Sequence, residues 1–339
     1  MLCRMAEASG PDSSRRVTIH DVARSAGVSR QTVSRALNGK DEIERSTKQR
    51  VLDAARELGY RPSRFARGLV RQDTTTIGLV IPDLRNPFFT EVAASALESA
   101  RARGWHVVVY DTADRPEEEL GTLQVIGSQV DGVVGYFSCD EDELDRWTRG
   151  MPMVLIGREH RMARFSSIRI DGEAGVHAAV THLVAKGHTM IGMLDHVNRA
   201  EPSLRRDWFT AAALAHGIDP GRVAGAAQSA DGGGEGLRAL LGAHPEVTAV
   251  FTFNDIVAVG ALREARRLGR RVPAELAVIG FDGLQLGALV EPPLSSVALD
   301  TRLLGSLAVE QVGRLLTGAD PLPPEALEVR AELRLAGSA

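Results

Sequence analysis

Arg30, Gln31 and Arg35 fall within one six-residue window, and their side chains are the kind that read DNA. Glutamine can present a donor and an acceptor together to an adenine edge, and arginine can fork onto guanine. Each good bidentate contact of this type is worth about 1–3 kcal/mol of discrimination between bases. A second set of polar residues is spread along the chain, each directly after a short apolar run: Asp83, Arg158, Asp171, the Asn254-Asp255 pair and Asp282. Carboxylates, amides and an arginine gathered around one crevice suit a hydroxyl-rich small molecule.

The first set needs a helix to carry it. Thr18, three residues before Asp21, can cap a helix start, and Ile19, Val22, Ala23 and Ala26 then repeat at helical spacing. Gly27 is placed to end this helix, and Ser29 to cap the next. On that second helix Val33, Ala36 and Leu37 face inward, leaving Arg30, Gln31, Ser34 and Arg35 on the opposite face. A third helix is predicted over 45–58, with Val51, Leu52, Ala55 and Leu58 as its apolar stripe and Gly59 as its stop. Three short helices with a polar second one make a helix-turn-helix.

The second set needs a scaffold that brings distant segments together. From residue 75 onward, apolar runs at 76–81, 106–110, 132–137, 153–156, 190–194, 249–253 and 276–281 read as buried strands. Helical patterns at 91–103, 175–186 and 256–268 lie between them. Such alternation predicts parallel sheets with helices on both faces, and ligands of such sheets bind beyond the carboxyl ends of the strands. The segment 325–339 reads as one strand and a short tail.

Composition narrows the function. The chain has 339 residues, 44% hydrophobic and 25% charged, enough for two or three domains. Its net charge of −4 is unevenly spread: residues 1–70 hold 14 Lys/Arg against 8 Asp/Glu, and the rest hold 26 against 36. A basic head on an acidic body fits a nucleic-acid-binding module joined to a sensor. No apolar run is long enough for a membrane span. The polar first residues lack the apolar core of a secretory signal, so a cytoplasmic location is expected. Two cysteines cannot build a disulfide framework or a zinc site.

Catalytic patterns are missing from the sequence. There is no phosphate-binding Gly-x-x-x-x-Gly-Lys-Ser/Thr motif and no Gly-x-Ser-x-Gly elbow. The glycine-rich run 231–236 has no strand before it and no lysine after it, and reads as a turn. His177, His182 and His188 are not spaced to share a helix face as metal ligands. Neither a catalytic set, a metal site nor a cofactor is expected.

The run 17–38, followed by Tyr60-Arg61-Pro62, closely resembles the LacI/GalR family of bacterial transcription regulators, and the resemblance continues through the chain. It implies a small all-α helix-turn-helix head (17–62) after a disordered tail (1–16). A hinge helix and linker (63–74) would follow, then an α/β periplasmic-binding-protein-like body of two parallel-sheet subdomains (75–339). It implies DNA contacts from Thr18, Ser29, Arg30, Gln31, Thr32, Ser34, Arg35, Asn38 and Tyr60, and from Ser63, Ala66 and Leu69 of the hinge, with Leu69 wedging between base pairs. Arg205 in the run SLRRDWF takes the place of the family's effector-contacting arginine. Asn254 and Asp282 match further ligand-facing positions, joined by Asp83, Phe88, Arg158 and Asp171.

Departures from the family pattern are Ser63, Gly68, Gly157, Trp208 and Leu299. The partners implied are double-stranded operator DNA, a second copy of the chain in a dimer, and a small-molecule effector, most naturally a sugar. A nucleoside, purine or phosphorylated corepressor is the alternative.

Overall fold

The computed structural model describes residues 19–37, 43–58, 74–127, 129–148, 151–158, 160, 165–197 and 203–339. Expectations for the 1–16 tail, Thr18, Asn38, Tyr60 and the hinge with Ser63, Ala66 and Leu69 lie outside these residues. The chain divides into two compact units, 1–74 and 75–339.

In the first unit, helices α1 (Ile19–Ala26), α2 (Arg30–Leu37) and α3 (Arg45–Glu57) enclose a core of Val22, Ala23, Ala26, Val33, Ala36, Val51, Ala54 and Ala55. Gly27 ends α1 at φ 64°, letting the Val28 amide donate to the Ala23 carbonyl at 3.0 Å. The Arg50 guanidinium donates to the Ala26 carbonyl at 3.1 Å, tying α3 to the end of α1. Leu58, expected in the core, is 36% exposed. The helix stops at Glu57, so Leu58 leaves the stripe and Ala54 fills that face.

The second unit has two lobes. In lobe one, β1 (Thr76–Ile81), β2 (His106–Asp111), β3 (Gly132–Gly135), β4 (Met153–Ile156), β5 (Phe165–Asp171) and β11 (Glu328–Arg330) form a sheet ordered β11-β5-β4-β3-β1-β2, all parallel. Its helices are α4 (Pro87–Ala102), α5 (Pro116–Ile126), α6 (Glu141–Thr148) and α11 (Thr301–Thr317). Along β1, Ile77, Leu79 and Ile81 enter one apolar cluster and Val80 enters another. Both faces are therefore buried, which is why the strand reads as a continuous apolar run.

Lobe two repeats the plan with β6 (Ile191–His196), β7 (Val223–Ala226), β8 (Ala249–Thr252), β9 (Ala277–Asp282), β10 (Ser295–Ala298) and β12 (Glu332–Arg334), ordered β12-β10-β9-β8-β6-β7. Only the β10–β12 pair is antiparallel. Its helices are α7 (Glu173–Ala185), α8 (Leu204–Ala215), α9 (Ala230–Ala243) and α10 (Asp255–Arg267).

Two expectations are corrected. The glycine-rich run 231–236 is not a turn but the start of α9, capped by the Ser229 hydroxyl on the Gly232 amide at 3.0 Å. Its glycines serve close packing. A Cβ on Gly233 would lie 2.8 Å from the Val257 carbonyl carbon of α10, and one on Gly260 of α10 would lie 2.7 Å from that of Ala230. Residues 325–339 give two strands, one per lobe, rather than one strand and a tail. The end is docked: buried Ser338 accepts from the Ser295 amide at 2.8 Å and donates to the Val278 carbonyl at 2.6 Å.

The chain crosses between lobes at Gly172, at 299–300 and at Ala331. Beside them, two bonds extend the strand ladders, one in each lobe. The Ala331 amide donates to the Asp171 carbonyl at 2.7 Å, and the Leu299 amide to the Asp282 carbonyl at 3.0 Å.

Candidate functional site

In the head, the Ser29 hydroxyl accepts from the Thr32 amide at 3.1 Å and so starts α2. Val33 and Ala36 anchor the buried face. Arg30, Gln31 and Arg35 are exposed, and Thr32 and Ser34 half-buried. The amides and positive dipole end of such a helix start suit phosphate.

In the body, parallel pairing sets the carboxyl ends of β1, β3, β4 and β5 on one edge of lobe one, and those of β6, β8 and β9 on one edge of lobe two. Arg205 is held by a relay. Buried Asp195 on β6 accepts from the Ser203 hydroxyl at 2.7 Å, and Ser203 caps α8 by accepting from the Arg206 amide at 3.1 Å. Arg205, in the first turn of α8, donates to Asp282 Oδ1 at 3.0 Å and to the Phe253 carbonyl. Its guanidinium lies over the ring of Phe253 at 4.4 Å and that of Phe281 at 3.9 Å. Desolvated cation–π contacts of this kind contribute about 2 kcal/mol. Trp208, one turn along α8, stacks on Phe281 with centroids 6.3 Å apart.

Asp282 ends β9 at φ 116°, a region that favours glycine and costs other residues about 1–3 kcal/mol. It is 2% exposed. Burial pushes its carboxyl up to about 8, against the lowering pull of Arg205 and with Asp255 and Glu91 adding to the rise. Asp255, fully buried at the start of α10, holds this strained backbone. It accepts from the Ser296 hydroxyl at 2.6 Å and the Leu284 amide at 2.7 Å. Burial raises it to about 6 despite those bonds. Asn254 caps α10, its side-chain oxygen accepting from the Val257 amide at 3.0 Å, while its amide nitrogen donates to Gln228 at 3.3 Å.

From lobe one comes Tyr136, just past β3. Its ring meets Phe89 edge-on at 5.1 Å and Phe88 at 6.4 Å. Its hydroxyl is shielded from solvent and has no hydrogen-bond partner among the described residues. Burial, then Asp282, raise its pKa, so it stays a neutral phenol. Unmatched buried hydroxyls are costly, and this one sits within electrostatic reach of Arg205 and Asp282.

The other expected residues are placed differently. Phe88 is buried in the apolar cluster. Arg158 donates to the carbonyls of Phe137 at 3.1 Å and Cys139 at 2.7 Å, bracing the loop after Tyr136. Buried Glu119 braces it from the other side, accepting from the Ser138 hydroxyl at 2.7 Å. Asp83 pairs with Arg85 at 2.9 Å. Asp171, the last residue of β5 rather than the one after it, accepts from the Glu173 amide at 3.1 Å beside the Gly172 crossing. Sequence reasoning gave no role to Tyr136, Phe253 or Phe281, and gave Asp255 one only as a neighbour of Asn254 at the crevice. Their signal was position: each lies at or just past a strand's carboxyl end.

No group of three or more His, Cys, Asp or Glu among the described residues is arranged to hold a metal. Burial and the neighbouring Glu119 push the Cys139 thiol up to about 12, which suits packing rather than nucleophilic chemistry. No helix among the described residues is long and apolar enough to cross a membrane.

A helix-turn-helix unit on a two-lobed α/β body, with polar groups collected where the lobes meet, defines the class of ligand-responsive DNA-binding regulators. Residues 18–63 match the family of bacterial regulatory proteins of the lacI type, and residues 180–338 match the periplasmic binding protein-like domain. Catabolite control protein A of Priestia megaterium is 32% identical over 312 residues, spanning 89% of this chain and 92% of that protein. Among solved structures, a LacI family transcriptional regulator from Arthrobacter sp. FB24 in complex with lactose matches 78% of this chain and 99% of its own, with a TM-score of 0.71 and 33% identity. The lac repressor dimer bound to operator and the anti-inducer ONPF matches 96% of this chain and 99% of its own, with a TM-score of 0.70 and 26% identity. The chain belongs to the lacI family of bacterial regulatory proteins and is a DNA-binding transcription regulator.

Proposed function

We propose that this regulator is a repressor that binds a near-palindromic operator as a dimer and is controlled by a sugar or sugar derivative held between its lobes. Arg30, Gln31 and Arg35 read base edges, with Thr32 and Ser34 beside them. Arg205 and Asp282 grip ligand hydroxyls from lobe two, and the aromatic rings around them pack against the sugar ring. Asn254, Asp83, Arg158, Asp171 and Phe88 shape or brace the walls. Ligand favours one arrangement of the lobes and thereby changes operator affinity. Such coupling is typically about 1–3 kcal/mol.

One observation carries this reading. A half-buried arginine paired with a buried carboxyl, flanked by aromatic rings and a hydroxyl lacking a partner among the described residues, stands at the junction of the lobes. The lactose complex of the Arthrobacter regulator supports a carbohydrate as the ligand class, and the operator-bound lac repressor dimer supports the dimer. The test is titration of the full chain against candidate operators at fixed salt, with and without sugars. Sequence-selective binding that shifts with one sugar is expected. Binding that is indifferent to sequence and to every ligand overturns the reading.

A further inference from the structure

Resting on that reading of the site, we propose that Trp208 is a positioning residue of the switch. Its ring ties the lobe crossing at Gly172 to Phe281, and through Phe281 to Arg205, so that ligand binding and lobe arrangement act on one another through it. Trp208 is one of the chain's departures from the family pattern.

At Gly172 the chain leaves β5 of lobe one and enters α7 of lobe two. The residue is buried, and its φ of −110° does not call for glycine. As the cap of α7 the position favours Ser, Asp or Asn, whose side chains would satisfy a free amide. No side chain caps the helix here. The reason is space. A Cβ at 172 would lie 2.5 Å from Trp208 Cζ3 and 2.9 Å from Phe281 Cε2, closer than a methyl group can approach. The two rings stack at 6.3 Å with their planes 18° apart, and the Arg205 guanidinium lies over Phe281 at 3.9 Å. Crossing, indole, phenyl and guanidinium therefore form one continuous run of contacts.

The run also touches the other two crossings. One turn into α7, a Cβ on Gly175 would lie 2.5 Å from the carbonyl oxygen of Ala331 at the third crossing. Asp282, next to Phe281, accepts from the Leu299 amide at the second crossing at 3.0 Å. Interiors packed this closely do not deform smoothly but change by discrete rearrangement. A torsion at Gly172 that brings its backbone toward the indole must move the indole. The indole cannot move without disturbing the phenyl ring under Arg205. Conversely, a ligand that draws on Arg205 alters the room left at Gly172. Coupling between sites is reciprocal in this way.

The test uses the full chain. Operator affinity is measured by fluorescence anisotropy with and without lactose and a panel of neutral mono- and disaccharides. The sugar with the largest effect is carried forward. In Trp208→Ala that sugar is expected to bind within about tenfold of its parent affinity by calorimetry, while its effect on operator affinity shrinks about threefold or more. Trp208→Phe, which keeps a ring, is expected to restore most of the effect. A residue that only stabilised the fold would lower the melting midpoint and leave the ratio of operator affinities as it was. That result overturns the inference and leaves a sugar-controlled regulator in place. A double-mutant cycle tests the contact itself. Gly172→Ser should lower the melting midpoint by about 3 °C or more in the parent. In Trp208→Ala, where the space is free, it should lower it by less than about 1 °C. If Gly172→Ser does not fold alone, its recovery alongside Trp208→Ala supports the contact equally. Equal losses in the two backgrounds overturn the inference. Silence from every sugar, in calorimetry and in operator binding, overturns the underlying reading and this inference with it.

Discussion

Arg205 donates to Asp282 at 3.0 Å although one side chain begins a helix and the other ends a strand 77 residues later. The carboxyl reaches the guanidinium from a backbone held at φ 116°. The pair is thus maintained against two costs, burial and backbone strain. Arg205→Ala is expected to abolish the ligand response measured by calorimetry while operator affinity, by fluorescence anisotropy, stays within about threefold. Retention of the ligand response would show that the ligand is held elsewhere.

The buried carboxyls give stability a definite pH dependence. Asp282 rises from 3.8 to about 8 on folding and Asp255 from 3.8 to about 6. A carboxyl with a raised folded pKa holds its proton more tightly when folded. Its contribution is complete below about 3.8, shrinks as pH climbs, and is gone above the folded value. Asp282→Asn should therefore gain stability relative to the parent as pH rises from about 4 to about 8. Urea midpoints across that range check it, and a constant difference would count against the assignment.

In the head, Gln31→Ala and Arg35→Ala should each alter sequence preference by about 1–3 kcal/mol at one operator position. Binding to random DNA should change much less. Competition assays against single-base operator variants separate the two effects. A uniform loss across all variants would assign those side chains to phosphate instead.

Ser29→Ala removes the cap on the Thr32 amide. It should lower the stability of the head by about 1 kcal/mol, seen as a lower midpoint in thermal unfolding.

Glycines within one helix pair should behave in opposite ways. Gly260→Ala places a methyl against the Ala230 carbonyl, and such overpacking costs about 1–3 kcal/mol. Gly242→Ala, near the end of α9, meets nothing within 4 Å and should stabilise by about 0.5–1 kcal/mol. Calorimetric melting of both variants reads the contrast.

These glycines also mark where the sequence was hard to read. A run of four glycines in six residues resembles a turn because glycine disfavours helix by local propensity. Contact between α9 and α10 overrides propensity, and nothing local in the run announces the partner helix. Strands β1, β3, β4, β6, β8 and β9 were legible because burial on both faces leaves continuous apolar runs, whereas the interior strands β5 and β10 carry serines that interrupt such a run. The short edge strands β7, β11 and β12 were not, since partial exposure erases that pattern. Arg205 and Asp282 were found by motif. Tyr136 was passed over because its interest lies in a hydroxyl without a partner among the described residues, which only packing can reveal.

The three lobe crossings carry a mechanical consequence. A single linker would let the lobes tumble, and two would still permit twisting. Here three strands of chain pass side by side, with Ala331 bonded to Asp171 and Leu299 to Asp282. Each bond extends a strand ladder of one lobe, Asp171 with Ala331 in lobe one and Asp282 with Leu299 in lobe two, so each crossing leaves its sheet from a fixed point. Three crossings anchored in this way restrict how far one lobe can twist against the other. Whatever fills the space beside Arg205 acts on lobes whose relative travel is already confined by their tethers.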